Sequence, residues 1–200
     1  IGCSMSGLAQ FISKQGLDEL RKWMITGYDA ISQLDANYSD WLAVPRSVKT
    51  TSIKPSGTVS LLAGATPGMH YPESRFYIRR IRISHISPLL EPLHKAGYKI
   101  EPAANSEDTV VVEIPVDVGE GIRTASEISQ MSLAAFIQKY WDDNQVSCTV
   151  TFNPQTEGSQ IAHALDYFQY QLKGISFLPR LEAGAYAQMP YEAIDEETYQ

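Results

Sequence analysis

The chain is poor in cysteine and has no excess of basic charge, and these two absences exclude several classes of protein. Its 200 residues include only two cysteines, Cys3 and Cys148. Two are too few for the disulfide framework of a small secreted domain, so we expect a reducing compartment, the cytoplasm. Sixteen basic residues against twenty-three acidic ones give a formal net charge of −7, which disfavours nucleic acid or an anionic membrane as a partner.

Long apolar runs and metal-ligand spacings are absent as well. No run approaches the roughly 20 apolar residues of a membrane-spanning helix, and there is no signal-peptide pattern. The four histidines are His70, His85, His94 and His163. They have no zinc-ligand spacing to one another or to the cysteines, so no metal site is predicted. Cys148 alternates with apolar residues in VSCTVTF (146–152), which predicts a buried and unreactive thiol.

Strand-like and helical patterns alternate along the chain. Apolar residues at helical spacing predict a long helix after Gly16, whereas VSCTVTF and GISFLP (174–179) are strand-like. TVVVEIPV (109–116) is almost continuously apolar, which is typical of a parallel strand covered on both faces. The alternation predicts an α/β fold with parallel strands and right-handed crossovers, in a single domain of residues 1–200. Because the chain begins in apolar sequence and stops without a closing element, we expect a piece of a longer protein.

Capping and charged residues add detail to this prediction. Thr124 and Glu127 form a capping-box pattern before a helix predicted at about 125–141, and Asn153 is the candidate N-cap of the last helix. The apolar phase of RFYIRRIRI (75–83) changes in mid-strand, which predicts a bulge near Arg79 and Arg80. Acidic residues at element ends are interpreted as caps or solvated charges: Asp117, Glu120, Asp142 and Asp143.

The segment TSIKPSGTVSLLAG (51–64) carries the clearest chemical signal. It alternates like a strand as far as Ile53, breaks at Pro55, and becomes apolar again after Ser56, Gly57, Thr58 and Ser60. A strand, a tight turn and a helix start present several unpaired backbone N–H groups in one direction, and hydroxyls add further donors. The segment therefore indicates either a phosphate-binding turn or an ordinary N-cap formed by Ser56 or Thr58.

Local charge favours the phosphate alternative. Between Arg46 and Arg82 the only acidic residue is Glu73, against seven basic ones: Arg46, Lys49, Lys54, Arg75, Arg79, Arg80 and Arg82. The four arginines from 75 to 82 form either an ion-pair network or a second anion contact. The loop GATPGMHYPES (64–74) follows the turn, and we predict that it touches substrate or cofactor through Met69, His70 and Tyr71.

Long blocks of the sequence resemble one known family. VPRSVKTTSIKPSGTVSLLAGATPGMHYPESRFYIRRIRI (44–83) closely resembles the adenosylcobalamin-dependent (class II) ribonucleoside-triphosphate reductases. YWDDNQVSCTVTFNP (140–154), LKGISFLPR (172–180) and GAYAQMPYEAIDEETY (184–199) are similar to later blocks of the same family, in the same order. VSCTVTF lacks the tandem tyrosines of the iron-dependent class I relatives, which supports the cobalamin type.

The resemblance implies a fold and a reaction. The family fold is a ten-stranded α/β barrel, of which this chain would be the C-terminal portion. Members reduce ribonucleoside triphosphates to 2′-deoxyribonucleotides with a thiyl radical that adenosylcobalamin generates, and a dithiol such as thioredoxin restores the cysteine pair. The family's Pro-Ser-x-Thr turn binds the substrate phosphates, which implies contacts at Ser56, Gly57, Thr58, Val59 and Ser60. The remaining part of the reductase chain would be a further partner.

The cysteines depart from the family pattern. The resemblance places the radical cysteine on an upstream loop with Asn and Glu, and neither Cys3 nor Cys148 matches it or the redox partner cysteines. We therefore expect the chain to be inactive by itself. The alternative hypothesis is a stand-alone phospholigand-binding or regulatory module without catalysis.

Overall fold

The computed structural model describes residues 2–56, 59–72, 74–122, 129–180 and 187–200. The helices, in chain order, are α1 (Leu8–Gln15), α2 (Leu17–Leu42), α3 (Val59–Leu62), α4 (Leu90–Lys95), α5 (Ser129–Tyr140), α6 (Ile161–Phe168) and α7 (Glu196–Tyr199). The strands are β1 (Cys3–Ser4), β2 (Thr51–Ser52), β3 (Phe76–Ser84), β4 (Lys99–Ala103), β5 (Ser106–Asp117), β6 (Thr149–Phe152), β7 (Ser176–Pro179) and β8 (Tyr191–Ile194). Of the helices in these ranges, none combines the length and apolarity that a bilayer crossing requires.

The chain divides into two compact units, which we name after their strands. The parallel unit comprises residues 1–72 and 121–180, and the antiparallel unit comprises 73–120 and 181–200. In the parallel unit β1 pairs with β2, β6 pairs with β7, and both pairs are parallel. A parallel bridge between Ile53 and Val146 joins the two pairs. The predicted α/β character with parallel strands therefore holds in this unit.

Helix α2 shows how the sequence builds the core of the parallel unit. Leu20 and Met24 are fully buried, and Tyr28 and Ile31 continue the same helical stripe against the core. Such spacing gives a helix one apolar face. Gly27 lies on this side because a Cβ there would approach the Trp141 ring to 3.3 Å. The predicted long helix is confirmed, and its glycine marks close packing.

The antiparallel unit differs from the prediction in the direction of its strands. Its sheet has the order β4-β5-β3-β8, and every pairing is antiparallel. The parallel pairing expected for residues 109–116 is wrong, because an apolar run reports burial but not the direction of the neighbouring strand. Only Val111, Val112 and Glu113 of β5 are buried, so the strand is covered less completely than its sequence indicated.

The bulge predicted near Arg79 and Arg80 is also wrong. Strands β3 and β5 pair without interruption, with Arg80 directly opposite Glu113. Arg80 Nε lies 2.8 Å from a Glu113 carboxylate oxygen, and both side chains are about nine-tenths buried. The apolar phase changes here because a buried ion pair occupies the position of an apolar side chain. Of the four arginines, Arg75 and Arg80 form ion pairs, which bears out the ion-pair alternative for these two. Arg79 and Arg82 instead donate to the backbone carbonyls of Pro190 and Gln188.

Two predicted caps have different outcomes. The capping box of Thr124 and Glu127 lies outside the described residues. Asn153 is not the N-cap of α6, because its side-chain oxygen accepts from the amides of Gln155, at 2.9 Å, and Thr156, at 3.4 Å. Asn153 therefore closes the turn after β6, and the helix begins only at Ile161.

Candidate functional site

The candidate site lies where β2 ends. In parallel sheets, ligands commonly bind beyond the carboxyl ends of the strands. The bridge at Ile53 is followed by Lys54, Pro55 and Ser56, and α3 begins at Val59. Gly57 and Thr58 lie outside the described residues. The described residues on both sides thus bear out the predicted order of strand, turn and short helix.

Part of the backbone of the turn is already hydrogen-bonded within the chain. Val59 N donates to Ser56 O at 3.1 Å, so this amide is not one of the unpaired N–H groups that the sequence predicts for the turn. Val59 itself is 69% exposed. Its side chain therefore contributes little to packing.

Ser60 carries the least expected feature of the turn. The residue is 5% exposed, and its hydroxyl oxygen has no hydrogen-bond partner among the described residues. Its carbonyl accepts from Ala63 N at 3.1 Å and from Ala65 N at 2.9 Å. Leaving a buried hydroxyl unsatisfied costs about 1–3 kcal/mol. A ligand oxygen at this position would remove that cost.

Two serines outside the predicted site join it. Ser6 Oγ lies 2.8 Å from Ser56 Oγ, and Ser4 Oγ accepts from Lys54 N at 3.0 Å. Both serines follow or end β1, which lies parallel to β2. Sequence reasoning missed them because fifty residues separate each from its partner. Their alternation in GCSMSG was the available signal, since residues two apart on a strand face the same side.

The predicted loop residues Met69, His70 and Tyr71 are held against the core. Met69 is fully buried, and Tyr71 packs against the core cluster. His70 Nδ1 donates to Pro67 O at 3.3 Å, and His70 Nε2 accepts from Thr149 N at 3.3 Å. Burial lowers the pKa of His70, against the opposing effect of its bond to Pro67. His70 is therefore a neutral link between this loop and β6.

The loop at the end of α5 forms hydrogen bonds with the backbone of β2 and of the residues next to it. Asp142 is 4% exposed, and its two carboxylate oxygens accept from Ile53 N at 2.8 Å and Asn144 N at 2.7 Å. Asp143 accepts from Thr50 N at 3.0 Å, and Trp141 Nε1 donates to Ser52 O at 3.1 Å. The interpretation of these two acids as caps or solvated charges is wrong, because both bind the backbone of a strand about ninety residues away.

Burial dominates the ionisation of Asp142. It raises the pKa of this carboxyl, while the hydrogen bonds from Ile53 and Asn144 oppose it. A folded-state pKa above the unfolded one means that the stability linked to this proton is lost as the pH rises through the folded pKa. Keeping the Asp142 carboxylate charged in this buried position costs free energy, and the hydrogen bonds from the amides of Ile53 and Asn144 offset part of that cost.

Cys148 behaves as the sequence predicted, as a buried thiol. Its residue is 5% exposed, and burial raises the pKa of the thiol to about 12. We expect iodoacetamide to modify Cys148 at least about 100-fold more slowly than the exposed Cys3, because the thiolate is the reacting species. Peptide mass mapping in native buffer checks this, with denaturant as the control in which both cysteines react. Equal native rates would contradict the burial.

No family model matches the chain. It is 62% identical to the probable adenosylcobalamin-dependent ribonucleoside-triphosphate reductase of Dictyostelium discoideum, over 100% of the chain and 27% of that protein. Identity to the adenosylcobalamin-dependent ribonucleoside-triphosphate reductase of Euglena gracilis is 59%, over 100% of the chain and 28% of that protein. A crystal structure of a B-12 dependent (class II) ribonucleotide reductase superposes with a TM-score of 0.83 at 35% identity, covering 100% of this chain and 32% of that one.

These similarities cover the chain from end to end but only part of each relative. The chain spans about a quarter of the length of the curated relatives it matches. Both the sequence blocks and the fold agree with the resemblance drawn from the motifs, since the superposed crystal structure is also of class II. The chain therefore belongs to the adenosylcobalamin-dependent, class II ribonucleotide reductase family and corresponds to one segment of its members.

Proposed function

We propose that this segment binds the substrate phosphates of a reductase that converts ribonucleoside triphosphates to 2′-deoxyribonucleoside triphosphates. The proposed contacts are the residues of the turn: Ser56, Gly57, Thr58, Val59 and Ser60. The observation that carries the proposal is the position of this turn at the end of β2, beside the buried and unsatisfied hydroxyl of Ser60. Val59 starts the helix, and a phosphate oxygen would share its amide with Ser56 O.

The chemistry of the turn suits a phosphate. Phosphate oxygens are acceptors, and the turn offers backbone N–H groups and the hydroxyls of Ser56, Thr58 and Ser60. Lys54 precedes the turn and is exposed, so it adds positive charge near the same strand end. In the loop that follows, Met69 would act through packing, and His70 and Tyr71 would be the side chains closest to the substrate.

The rest of the reaction belongs to the remainder of the enzyme. We propose that the chain forms the C-terminal part of the ten-stranded barrel in a cytoplasmic reductase, and that the radical cysteine lies elsewhere in that protein. Adenosylcobalamin would supply the radical chemistry when bound, and a dithiol such as thioredoxin the reducing equivalents.

Replacing Thr58 by tyrosine in the full-length enzyme that carries this segment tests the proposal. We expect the affinity for a ribonucleoside triphosphate to fall at least about tenfold, because a bulky side chain takes the space of the phosphates. Equilibrium dialysis with labelled nucleotide measures the affinity. The matched control is Leu62→Tyr, at an 89% exposed position of α3. Equal affinities for the Thr58 variant and the parent enzyme would refute a phosphate site in this turn.

A further inference from the structure

Three segments of the parallel unit meet at one serine. Ser6 follows β1, and its hydroxyl oxygen lies 2.8 Å from Ser56 Oγ, at the start of the turn. The same oxygen accepts from Gly68 N at 3.4 Å, in the loop that leads to Met69. Ser6 is thus in direct contact with the proposed phosphate turn and with the loop beside it.

The backbone around Ser6 is anchored on both sides. Gly7 N donates to Thr66 O at 2.8 Å, and Leu8 N donates to Gly68 O at 3.3 Å. Gly7 has φ +75°, a conformation that favours glycine, and it turns the chain from β1 into α1. A Cβ on Gly68 would approach Lys54 O to 2.9 Å, so this loop also packs closely on the end of β2. The hydroxyl of Ser6 therefore sits on a fixed backbone.

Side chains replace backbone pairing at this strand end for a chemical reason. Pro55 has no N–H and cannot extend the pairing of β1 with β2. Ser4 Oγ accepts from Lys54 N at 3.0 Å, and Ser6 Oγ contacts the side chain of Ser56. The two serines thus hold the residues on either side of the proline. The contact with Ser6 joins Ser56, the first residue of the turn, to the segment that follows β1.

Hydrogen-bond polarity indicates what the contact does. A serine hydroxyl has one donor hydrogen and two acceptor positions. Gly68 N donates to Ser6 Oγ, so Ser6 can give its own hydrogen to Ser56 Oγ. The hydrogen of Ser56 is then left for another acceptor. An ionised phosphate oxygen accepts and does not donate, so phosphate binding at Ser56 selects this polarity.

We propose that Ser6 is a positioning residue for the substrate phosphates, acting by orienting the hydroxyl of Ser56. The proposal rests on the proposed function of the Ser56–Ser60 turn. Ser6 touches no substrate in this account. It fixes which hydrogen of the serine pair points toward the ligand, and it ties the turn to the loop of Gly68.

The test uses Ser6→Ala in the full-length enzyme, with Ser13→Ala as the matched control. Ser13 lies in α1, and its hydroxyl donates only to Ala9 O, at 2.9 Å. We expect Ser6→Ala to raise KM for the ribonucleoside triphosphate about 3- to 10-fold, more than it lowers kcat, because one hydrogen bond to the ligand loses its orientation. KM does not depend on the fraction of enzyme that folds, so partial misfolding does not mimic this result. Ser6→Thr, which keeps the hydroxyl, should restore KM to within about twofold of the parent value.

Two further variants separate the inference from the function on which it rests. We expect Ser56→Ala to raise KM, and the double variant Ser6→Ala/Ser56→Ala to be no worse than Ser56→Ala alone. A normal KM for Ser56→Ala overturns both proposals. A raised KM for Ser56→Ala with a normal KM for Ser6→Ala, or with independent effects that multiply in the double variant, overturns only the role of Ser6.

Discussion

Replacing Asp142 by alanine is expected to lower the free energy of unfolding of the parallel unit by about 1–3 kcal/mol, since the buried amide of Ile53, 2.8 Å from the carboxylate, loses its acceptor. The amide of Asn144, at 2.7 Å from the carboxylate, keeps a second acceptor in Thr51 O at 3.3 Å. Denaturant unfolding followed by amide exchange at Ile53 measures the effect. Asp29→Ala, at an exposed position of α2, is the control and should change stability by less than about 0.5 kcal/mol.

The same substitution should also weaken nucleotide binding, because Asp142 fixes the strand that leads into the phosphate turn. We expect the binding loss to persist at temperatures where the Asp142 variant is still folded. If Ile53 is as well protected from amide exchange in Asp142→Ala as in the parent enzyme, the role of Asp142 in holding this strand is contradicted.

Replacing Glu113 by glutamine is expected to destabilise the antiparallel unit by about 3 kcal/mol. This is the lower end of the 3–5 kcal/mol that breaking a buried ion pair costs, because Arg80 keeps Glu192 as a second partner. Amide exchange along β3 and β5 measures the stability of this sheet itself. The matched control is Glu107→Gln, an exposed acid on the same strand β5. Unchanged exchange in β3 would contradict a stabilising role for the pair.

The effect of Glu113 should depend on pH in a defined direction. Burial would raise the pKa of Glu113, but the hydrogen bonds and charges of Lys99 and Arg80 outweigh it and hold that pKa below its ordinary value. A lowered folded-state pKa gives stability that is present above the unfolded pKa and is lost as the pH falls through the folded pKa. The difference between parent and Glu113→Gln should therefore shrink below about pH 4.3.

Local patterns predicted the elements whose causes are local. The helix α2 follows from apolar residues at helical spacing, and the strand–turn–helix order around Ser56 follows from Pro55 and the residues beside it. Cys148 could be called buried because alternation along a strand fixes which face a side chain occupies. In each case the physical cause lies within a few residues of the effect.

Other features depend on partners far along the chain and escaped prediction for that reason. Asp142 binds the amide of Ile53 across 89 residues, and a carboxylate after a helix gives no local sign of such a partner. Arg80 occupies a position of β3 where the alternation predicts an apolar side chain, because Glu113 lies opposite it on the neighbouring strand. Strand direction in the antiparallel unit is likewise set by which strands meet, a long-range choice that apolar runs do not encode.

A crystal structure of the full-length enzyme with a bound ribonucleoside triphosphate tests the phosphate site most directly. We expect phosphate oxygens at hydrogen-bond distance, about 2.7–3.2 Å, from the hydroxyls of Ser56 and Ser60 and from the amides of the turn between them. We also expect the contact of Ser6 with Ser56 to be retained. Phosphates bound elsewhere, with the hydroxyl of Ser60 still without a partner, would contradict the assignment of this turn as the phosphate site.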